Sequence, residues 1–122
     1  MATPKVWKNA LAMLPHLAKC AKERRTITYG ELGALIGVPA FFMGQSLDVL
    51  RDQLLPRHNL PRIDALVVSK DSGEAGDSFF QGGRDALADE EYRSVMVDQR
   101  EQVYAYPNWD TVVANLIAHY GD

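Results

Sequence analysis

Two lysines lie close to Cys20, the single cysteine in a chain of 122 residues. Lys19 and Lys22 could lower the pKa of its thiol and make it a reactive nucleophile. The alternative is a small, partly buried side chain on a helix, which is the common environment of a free cysteine and the one we expect here. A single cysteine also excludes an internal disulfide and a cysteine-rich zinc site.

Other groups that could bind a metal or transfer a proton lack the spacing that such chemistry needs. His16, His58 and His119 have no mutual spacing that indicates a metal cluster. The acidic loop over residues 71–77 resembles a calcium loop, but no glutamate occupies its twelfth position. The chain contains no serine–histidine–aspartate elbow, Walker loop or dinucleotide fingerprint. The sequence therefore predicts a protein that is not an enzyme and that uses no metal or cofactor.

Charge is distributed unevenly along the chain, and the net charge of −3 conceals this. Residues 1–25 carry +5, residues 26–70 are neutral, and residues 71–122 carry −8. A basic N-terminal region can face a polyanion such as nucleic acid. The acidic C-terminal region would repel nucleic acid or bind a basic partner, and a solvated surface without any partner is the remaining alternative.

Length and composition indicate a globular protein with a single domain, residues 1–122. Its 47% hydrophobic and 24% charged residues are ordinary values, which argue against disorder. The apolar runs are far shorter than the roughly 20 residues of a membrane span. The first residues contain no apolar core of a secretory signal. We therefore expect a cytoplasmic protein with no membrane partner.

A helix, a tight turn and a second helix are predicted in the middle of the chain. Thr28 and Glu31 have the spacing of a capping box at the start of the first helix. Gly37 is its expected left-handed stop. A turn of three residues then leads into a helix over residues 40–55, which Pro56 ends. This arrangement is typical of a helix-turn-helix unit.

The apolar stripes of these two helices predict which side chains are buried. Leu32, Leu35 and Ile36 form the inner face of the first helix. In the second helix Phe42 belongs to the apolar stripe, whereas Phe41 falls to one side of it, where it could be exposed.

The flanking segments complete a mainly α domain of the α+β class, a winged helix-turn-helix-like fold with a small β-sheet and two added C-terminal helices. Its core covers residues 1–83, and the helical extension covers residues 84–122. In chain order, the other predicted elements are a helix over residues 4–25 that Pro15 kinks or divides, a buried strand over residues 62–69, a glycine-rich loop or wing over residues 70–83, and helices over residues 85–104 and 109–119.

The run Thr28-Tyr29-Gly30-Glu31-Leu32 resembles the start of a helix in the C-terminal domain of the O6-alkylguanine-DNA alkyltransferases and alkyltransferase-like proteins. The similarity covers roughly residues 6–83 and is best over residues 28–39. It implies a winged helix-turn-helix whose second helix enters the minor groove of DNA. Tyr29 resembles the family's tyrosine that helps to rotate the target nucleotide.

The family's catalytic strand, Pro-Cys-His-Arg-Val-Val, is not matched in this chain. Alignment of its valines with Val67 and Val68 places Ile-Asp-Ala-Leu, residues 63–66, where the family has its proline, cysteine, histidine and arginine. The family's arginine finger would fall at Phe41. The resemblance therefore implies the fold without alkyl transfer and without damage recognition by that route.

The expected DNA-binding surface combines residues of the second helix with basic side chains around it. Gln45 and Arg51 suit base or phosphate contacts, while Asp48 and Asp52 oppose them. Phe41 and Phe42 could wedge between base pairs, with burial in the core as the alternative for both. The complete predicted nucleic-acid-binding set is Thr28, Tyr29, Phe41, Gln45, Arg51, Arg24, Arg25, Arg57 and Arg62.

Two hypotheses on function remain open. The first is a small non-enzymatic winged-helix protein that binds double-stranded DNA and could be regulatory. The second is an acidic protein-interaction module, such as an inhibitor, an immunity protein or an adaptor, which binds a protein partner through its acidic C-terminal half and exposed aromatics. Those aromatics are Phe79, Phe80, Tyr104, Tyr106 and Trp109. The hypotheses differ on whether residues 19–25, Arg51, Arg57 and Arg62 share one face.

Overall fold

Helices make up most of the chain, of which the computed structural model describes residues 4–75 and 87–120. The elements in chain order are α1 (Pro4–Lys22), β1 (Ile27–Thr28), α2 (Tyr29–Ile36), a 3-10 turn (Ala40–Phe42), α3 (Met43–Val49), a π-helical turn (Leu50–Leu54), α4 (Leu55–Arg57), a second 3-10 turn (Ile63–Leu66), β2 (Val67–Val68), α5 (Asp89–Ala105) and α6 (Trp109–Tyr120). The prediction of a mainly α chain with a small sheet is confirmed.

Helix α1 lies at the centre of the fold, and its contacts with α2, α3, α5 and α6 build the main core. Pro15 does not divide it, contrary to one of the two predicted outcomes. The proline lies on the exposed side, while Leu14 and Leu17 keep the buried stripe in phase across it. Packing of this stripe outweighs the one backbone hydrogen bond that proline removes. The helix ends at Lys22, before the predicted end near residue 25.

The two ends of α2 follow the local signals predicted from the sequence. The Thr28 hydroxyl accepts a hydrogen bond from the Glu31 backbone N–H at 3.1 Å, and the Glu31 carboxylate accepts one from the Thr28 N–H at 3.0 Å. Gly37 ends the helix with φ of 76°, a conformation that glycine adopts without a Cβ penalty. The Ala40–Arg57 segment then meets α2 at a bend of 90°, as in helix-turn-helix units.

The Ala40–Arg57 segment is helical throughout, but it changes helix type along its length. Its π-helical turn is closed by the Leu55 N–H, which donates to the Leu50 carbonyl. Pro56 does not end the segment as predicted, since the residue after it, Arg57, is still helical. The segment therefore extends to Arg57.

The small sheet pairs β1 with β2 in parallel, with Ile27 opposite Val67. The predicted strand over residues 62–69 is wrong for most of its length, because residues 63–66 form a buried 3-10 turn. A buried apolar run has the same sequence signature in either conformation. The chain then reverses, and Ala75 forms an isolated antiparallel bridge with Val68. The remainder of the predicted wing, residues 76–83, lies outside the described residues.

Helix α6 agrees with its predicted position, whereas α5 begins at Asp89, after the predicted start at residue 85. Helix α6 packs on α1, and α5 packs on the 3-10 turn of residues 63–66. The indole N–H of Trp109 donates to the Val103 carbonyl at 2.8 Å, which ties the start of α6 to α5. Trp109 is buried, so its prediction as an exposed aromatic is wrong. Tyr104 and Tyr106 are half-buried against the main core.

Within residues 4–75 and 87–120, no single helix has the length and apolar character to cross a membrane. Helix α2 and the Ala40–Arg57 segment reach that length and composition only as a pair, and the 90° bend separates them.

Candidate nucleic-acid interface

Two of the predicted phosphate-binding arginines, which lie directly after α1, form ion pairs with carboxylates of this chain. Arg24 donates from Nη2 to both carboxylate oxygens of Glu101, at 2.9 and 3.0 Å. The Arg25 guanidinium pairs with Glu23. Both pairs are more than 40% exposed, so water and salt screen them. Each of these arginines must break its ion pair with the carboxylate before it can bind a phosphate.

Two further predicted arginines are held more firmly. Arg51 makes two hydrogen bonds to the Asp52 carboxylate, at 2.7 and 2.8 Å, and lies 3.6 Å from Asp48. Arg62 makes two hydrogen bonds to Asp64, at 2.7 and 2.9 Å. The Arg51 and Arg62 side chains are only 16% and 26% exposed. Planar two-point pairs of this kind are strong where water is excluded, so these guanidinium groups act mainly within the protein.

Thr28 and Tyr29 also have structural roles in this fold. The Thr28 hydroxyl and backbone N–H are both used by the capping box of α2. Tyr29 is half-buried and packs against the main core. Neither side chain extends far enough from the surface to insert between bases or to reach a base edge.

Positive charge is concentrated on one face of α1. We call this face the lysine stripe; in chain order its members are Lys5, Lys8, Ala12, Pro15, Lys19 and Lys22. These positions are spaced three or four residues apart and all are exposed, as expected for one side of a helix. The sequence of α1 contains no Asp or Glu. The stripe spans about 26 Å at the rise of an α-helix.

Within the part of the chain that the structure describes, three of the four lysines of the lysine stripe form no ion pair. Lys22 donates to Asp110 at 2.8 Å. Lys5, Lys8 and Lys19 have no carboxylate within ion-pair distance among the described residues. The predicted nucleic-acid-binding set names none of these four lysines, although Lys22 was expected to give basic support and Lys19 and Lys22 belong to the basic residues 19–25 of the DNA hypothesis. The signal that could have identified them is their three- and four-residue spacing, offset from the buried stripe of the same helix.

The turn after α2 carries an exposed pair of aromatic rings, which we call the phenylalanine corner: Phe41 and Phe42. Their ring centroids lie 4.3 Å apart, and the two residues are 80% and 61% exposed. Leu35, on α2, is 56% exposed as well. The expectation that Phe41 could be exposed is confirmed, whereas the predicted burial of Phe42 and Leu35 is wrong. The short α2 packs through Leu32 instead.

A groove of about 380 Å³ joins the lysine stripe to the phenylalanine corner. Lys5 and Asn9 of α1 line one side, and Val38, Phe42 and Gln45 line the other. The elements on the two sides are fixed together, because the Ser46 hydroxyl of α3 donates to the Val6 carbonyl of α1 at 3.1 Å. The predicted residue Gln45 therefore lines the same groove as Lys5, a lysine that the predicted set omits.

Arg57 is placed differently from the other predicted arginines. It is exposed, and its guanidinium lies 5.8 Å from the ring centroid of Trp7. No carboxylate of the described residues lies within ion-pair distance of it. Arg57 and Lys8 line one hollow beside α1. The structure thus brings Arg57 close to Lys8 of the lysine stripe.

The positions that correspond to the alkyltransferase catalytic strand lie in the core. Residues 63–66 are all buried. Burial raises the pKa of the Asp64 carboxyl above its ordinary value, and the Arg62 guanidinium opposes that rise. Cys20 is also buried, and desolvation raises the pKa of its thiol, so it is not an activated nucleophile.

Comparison of the chain with protein-family models, with curated proteins and with solved structures found no match.

Proposed function

We propose that this protein is a non-enzymatic nucleic-acid-binding protein whose interface is the lysine stripe together with the phenylalanine corner. The observation that carries the proposal is the exposed face of α1, which presents four lysines and no carboxylate of its own. Cations spaced along a helix face suit a regular line of phosphates, and phosphate contacts supply most of the affinity for nucleic acid.

The phenylalanine corner supplies a second type of contact beside the first. Exposed aromatic side chains insert between base steps in proteins that bind the minor groove. Gln45 lies in the same groove as Phe42 and Lys5, and an amide side chain can hydrogen-bond to base edges. In this arrangement the lysines hold the backbone while the N-terminal turns of the Ala40–Arg57 segment meet the bases.

A winged helix-turn-helix mode of docking is the finer form of the proposal. The 90° bend between α2 and the Ala40–Arg57 segment supports it, as does the resemblance of residues 28–39 to the alkyltransferase family. In this form the second helix enters a groove of duplex DNA. Arg24, Arg25, Arg51 and Arg62 then stabilise the protein rather than contact phosphates.

Charge-matched variants test the proposal. Lys5→Ala/Lys8→Ala removes two cations from the stripe, and Lys70→Ala/Arg93→Ala removes two exposed cations elsewhere, so both variants have the same net charge. Fluorescence anisotropy with a labelled duplex is expected to show binding weakened about tenfold by the first variant and less than about twofold by the control. Equal effects of the two variants, or no binding by the folded wild type, would contradict the proposal.

The exposed rings also favour a second candidate, a module that binds a protein partner. An apolar pair that is 80% and 61% exposed is the kind of anchor that interfaces bury at their centre. In this case Phe41→Ser would abolish a stable complex with a protein partner, free of nucleic acid, while Lys5→Ala/Lys8→Ala would leave that complex intact. Analytical size exclusion of the two variants with the captured partner distinguishes the candidates.

A further inference from the structure

A second hollow beside α1 combines aromatic rings with cations. Its volume is about 480 Å³, within the range of sites for small ligands. We call it the aromatic hollow; its lining residues are Pro4, Trp7, Lys8, Leu11, Arg57 and Tyr120. None of these residues is acidic.

The two rings of the hollow are held in place by their neighbours. The ring centroids of Trp7 and Tyr120 lie 5.4 Å apart, with an angle of 38° between the rings. The Tyr120 hydroxyl is hydrogen-bonded to Nε2 of His58 at 2.7 Å, and the His119 ring packs edge-on against the Tyr120 ring. A ring that is already fixed loses little conformational freedom when it stacks on a ligand.

Trp7 is half-buried, unlike Trp109, which is 3% exposed. Part of its indole is therefore open to solvent beside two cations. Lys8 belongs to the lysine stripe, and Arg57 lies over the indole ring at 5.8 Å from its centroid. Flat rings with adjacent cations, and with no carboxylate among the described residues that line the hollow, suit a ligand that joins an aromatic ring to a negative charge.

We propose that the aromatic hollow binds an unpaired nucleobase together with its adjoining phosphate, so that the nucleic acid recognised there is single-stranded. This inference rests on the proposed function, since the lysine stripe delivers the strand to Lys8 and Arg57. The base stacks on Trp7 and Tyr120, which accept any base because every base has a π-face. Bases inside a duplex are covered by their neighbours, so only unpaired bases reach the rings.

Tryptophan fluorescence tests the hollow directly, because Trp7 is the solvent-accessible one of two tryptophans. A 12-nucleotide oligothymidine is expected to quench the emission, and a duplex of the same length to leave it nearly unchanged. Trp7→Phe is expected to abolish the quench, because the remaining tryptophan, Trp109, is buried. Thymidine monophosphate tests whether a free nucleotide is the ligand instead of a strand. It is expected to bind at least tenfold more weakly than the oligomer, since it lacks the other phosphates.

Two variants measure the contribution of the hollow through the ratio of single-strand to duplex affinity. Trp7→Leu removes the stacking surface and is expected to lower this ratio about tenfold. Arg57→Gln, at an exposed position, is expected to lower it about threefold. If Trp7→Leu does not fold, the affinity ratio of Arg57→Gln and the loss of the quench in Trp7→Phe still test the proposal.

The outcomes separate this inference from the proposed function. One result would reject base binding in the aromatic hollow and still support the proposed function. In that result the duplex binds in a way that depends on Lys5 and Lys8, oligothymidine does not quench the emission, and Arg57→Gln does not change the affinity ratio. Equal affinity for thymidine monophosphate and the oligomer overturns the single-strand assignment. Failure of both nucleic acids to bind overturns the proposed function and the hollow with it.

Discussion

Among the described residues, Asp64 is the one charged side chain that is buried in the core. Its two hydrogen bonds from Arg62 span only two residues and close the 3-10 turn that precedes β2. Burial disfavours the charged carboxylate and raises its pKa, while the guanidinium favours the charge. The pair therefore offsets much of the cost of the buried charge. Without Arg62, Asp64 keeps only a backbone hydrogen bond and the charge of Arg51 as compensation.

Arg62→Ala is expected to lower the free energy of unfolding by about 3 kcal/mol at pH 7. Without Arg62 the pKa of Asp64 rises further in the folded state, while its unfolded value stays near the ordinary one. The loss is therefore small near pH 4, where the carboxyl is protonated in the variant, and grows as pH rises. Urea unfolding of wild type and variant at several pH values measures this difference.

The double variant Arg62→Ala/Asp64→Asn is the control for that prediction. It removes the unpaired charge, so it is expected to regain part of the stability at pH 7 and to lose the additional pH dependence. A deficit that is the same from pH 4 to pH 7 in Arg62→Ala would contradict this account of the pair.

At the scale of elements, the corner between α2 and the Ala40–Arg57 segment depends on a close backbone approach. A Cβ at Gly33 would lie inside van der Waals contact of the Val38 carbonyl oxygen, which belongs to the turn itself. The Val38 N–H donates to the Gly33 carbonyl at 2.8 Å across the same gap. The turn can approach α2 this closely because Gly33 has no side chain. The same approach positions the phenylalanine corner.

Gly33→Ala is expected to destabilise the protein by about 2 kcal/mol or more, because backbone atoms cannot move aside as a flexible side chain can. Gly30→Ala is the matched control in the same helix, since a Cβ there meets nothing within 4 Å. It is expected to stabilise the protein by about 0.5 kcal/mol. Thermal unfolding of both variants measures the contrast, and similar melting temperatures would mean that the corner does not need the close approach.

The elements that could be predicted from the sequence are those that local signals determine. The capping box of Thr28 and Glu31 and the stop at Gly37 act within a few residues, and they fixed α2 correctly. The strand over residues 62–69 was wrong because a run of apolar residues shows burial but not conformation. The predicted burial of Phe42 was wrong because an apolar stripe does not show whether another element of the fold packs against it.

The candidate site was less predictable, since Arg24 and Lys22 pair with distant parts of the chain, whereas Arg25, Arg51 and Arg62 pair with carboxylates at most three positions away. Arg24 meets Glu101 across 77 positions, and Lys22 meets Asp110 across 88. No spacing rule indicates which basic side chains form ion pairs with such distant carboxylates. The exposure of the lysines, by contrast, follows from the period of α1 alone and was available from the sequence.

At the scale of the whole molecule, these long-range pairs explain how opposite charges coexist in one small protein. Two carboxylates of the acidic C-terminal half, on Glu101 and Asp110, pair with the end of α1 and the residues after it. The pairs join the C-terminal helices to the central helix. Among the described residues they leave Lys5, Lys8 and Lys19 without an ion pair, and these are the positive charges that the proposed function assigns to phosphate contacts.

The salt dependence of duplex binding tests this distribution of charge most directly. Three to four phosphate contacts along the lysine stripe predict that log K falls with log salt concentration with a slope of about −3. Anisotropy titrations of the wild type from low to physiological salt measure that slope. A slope near −3 that flattens in Lys5→Ala/Lys8→Ala is the expected result. A folded protein that shows no binding, or binding whose affinity does not change with salt, would contradict the account.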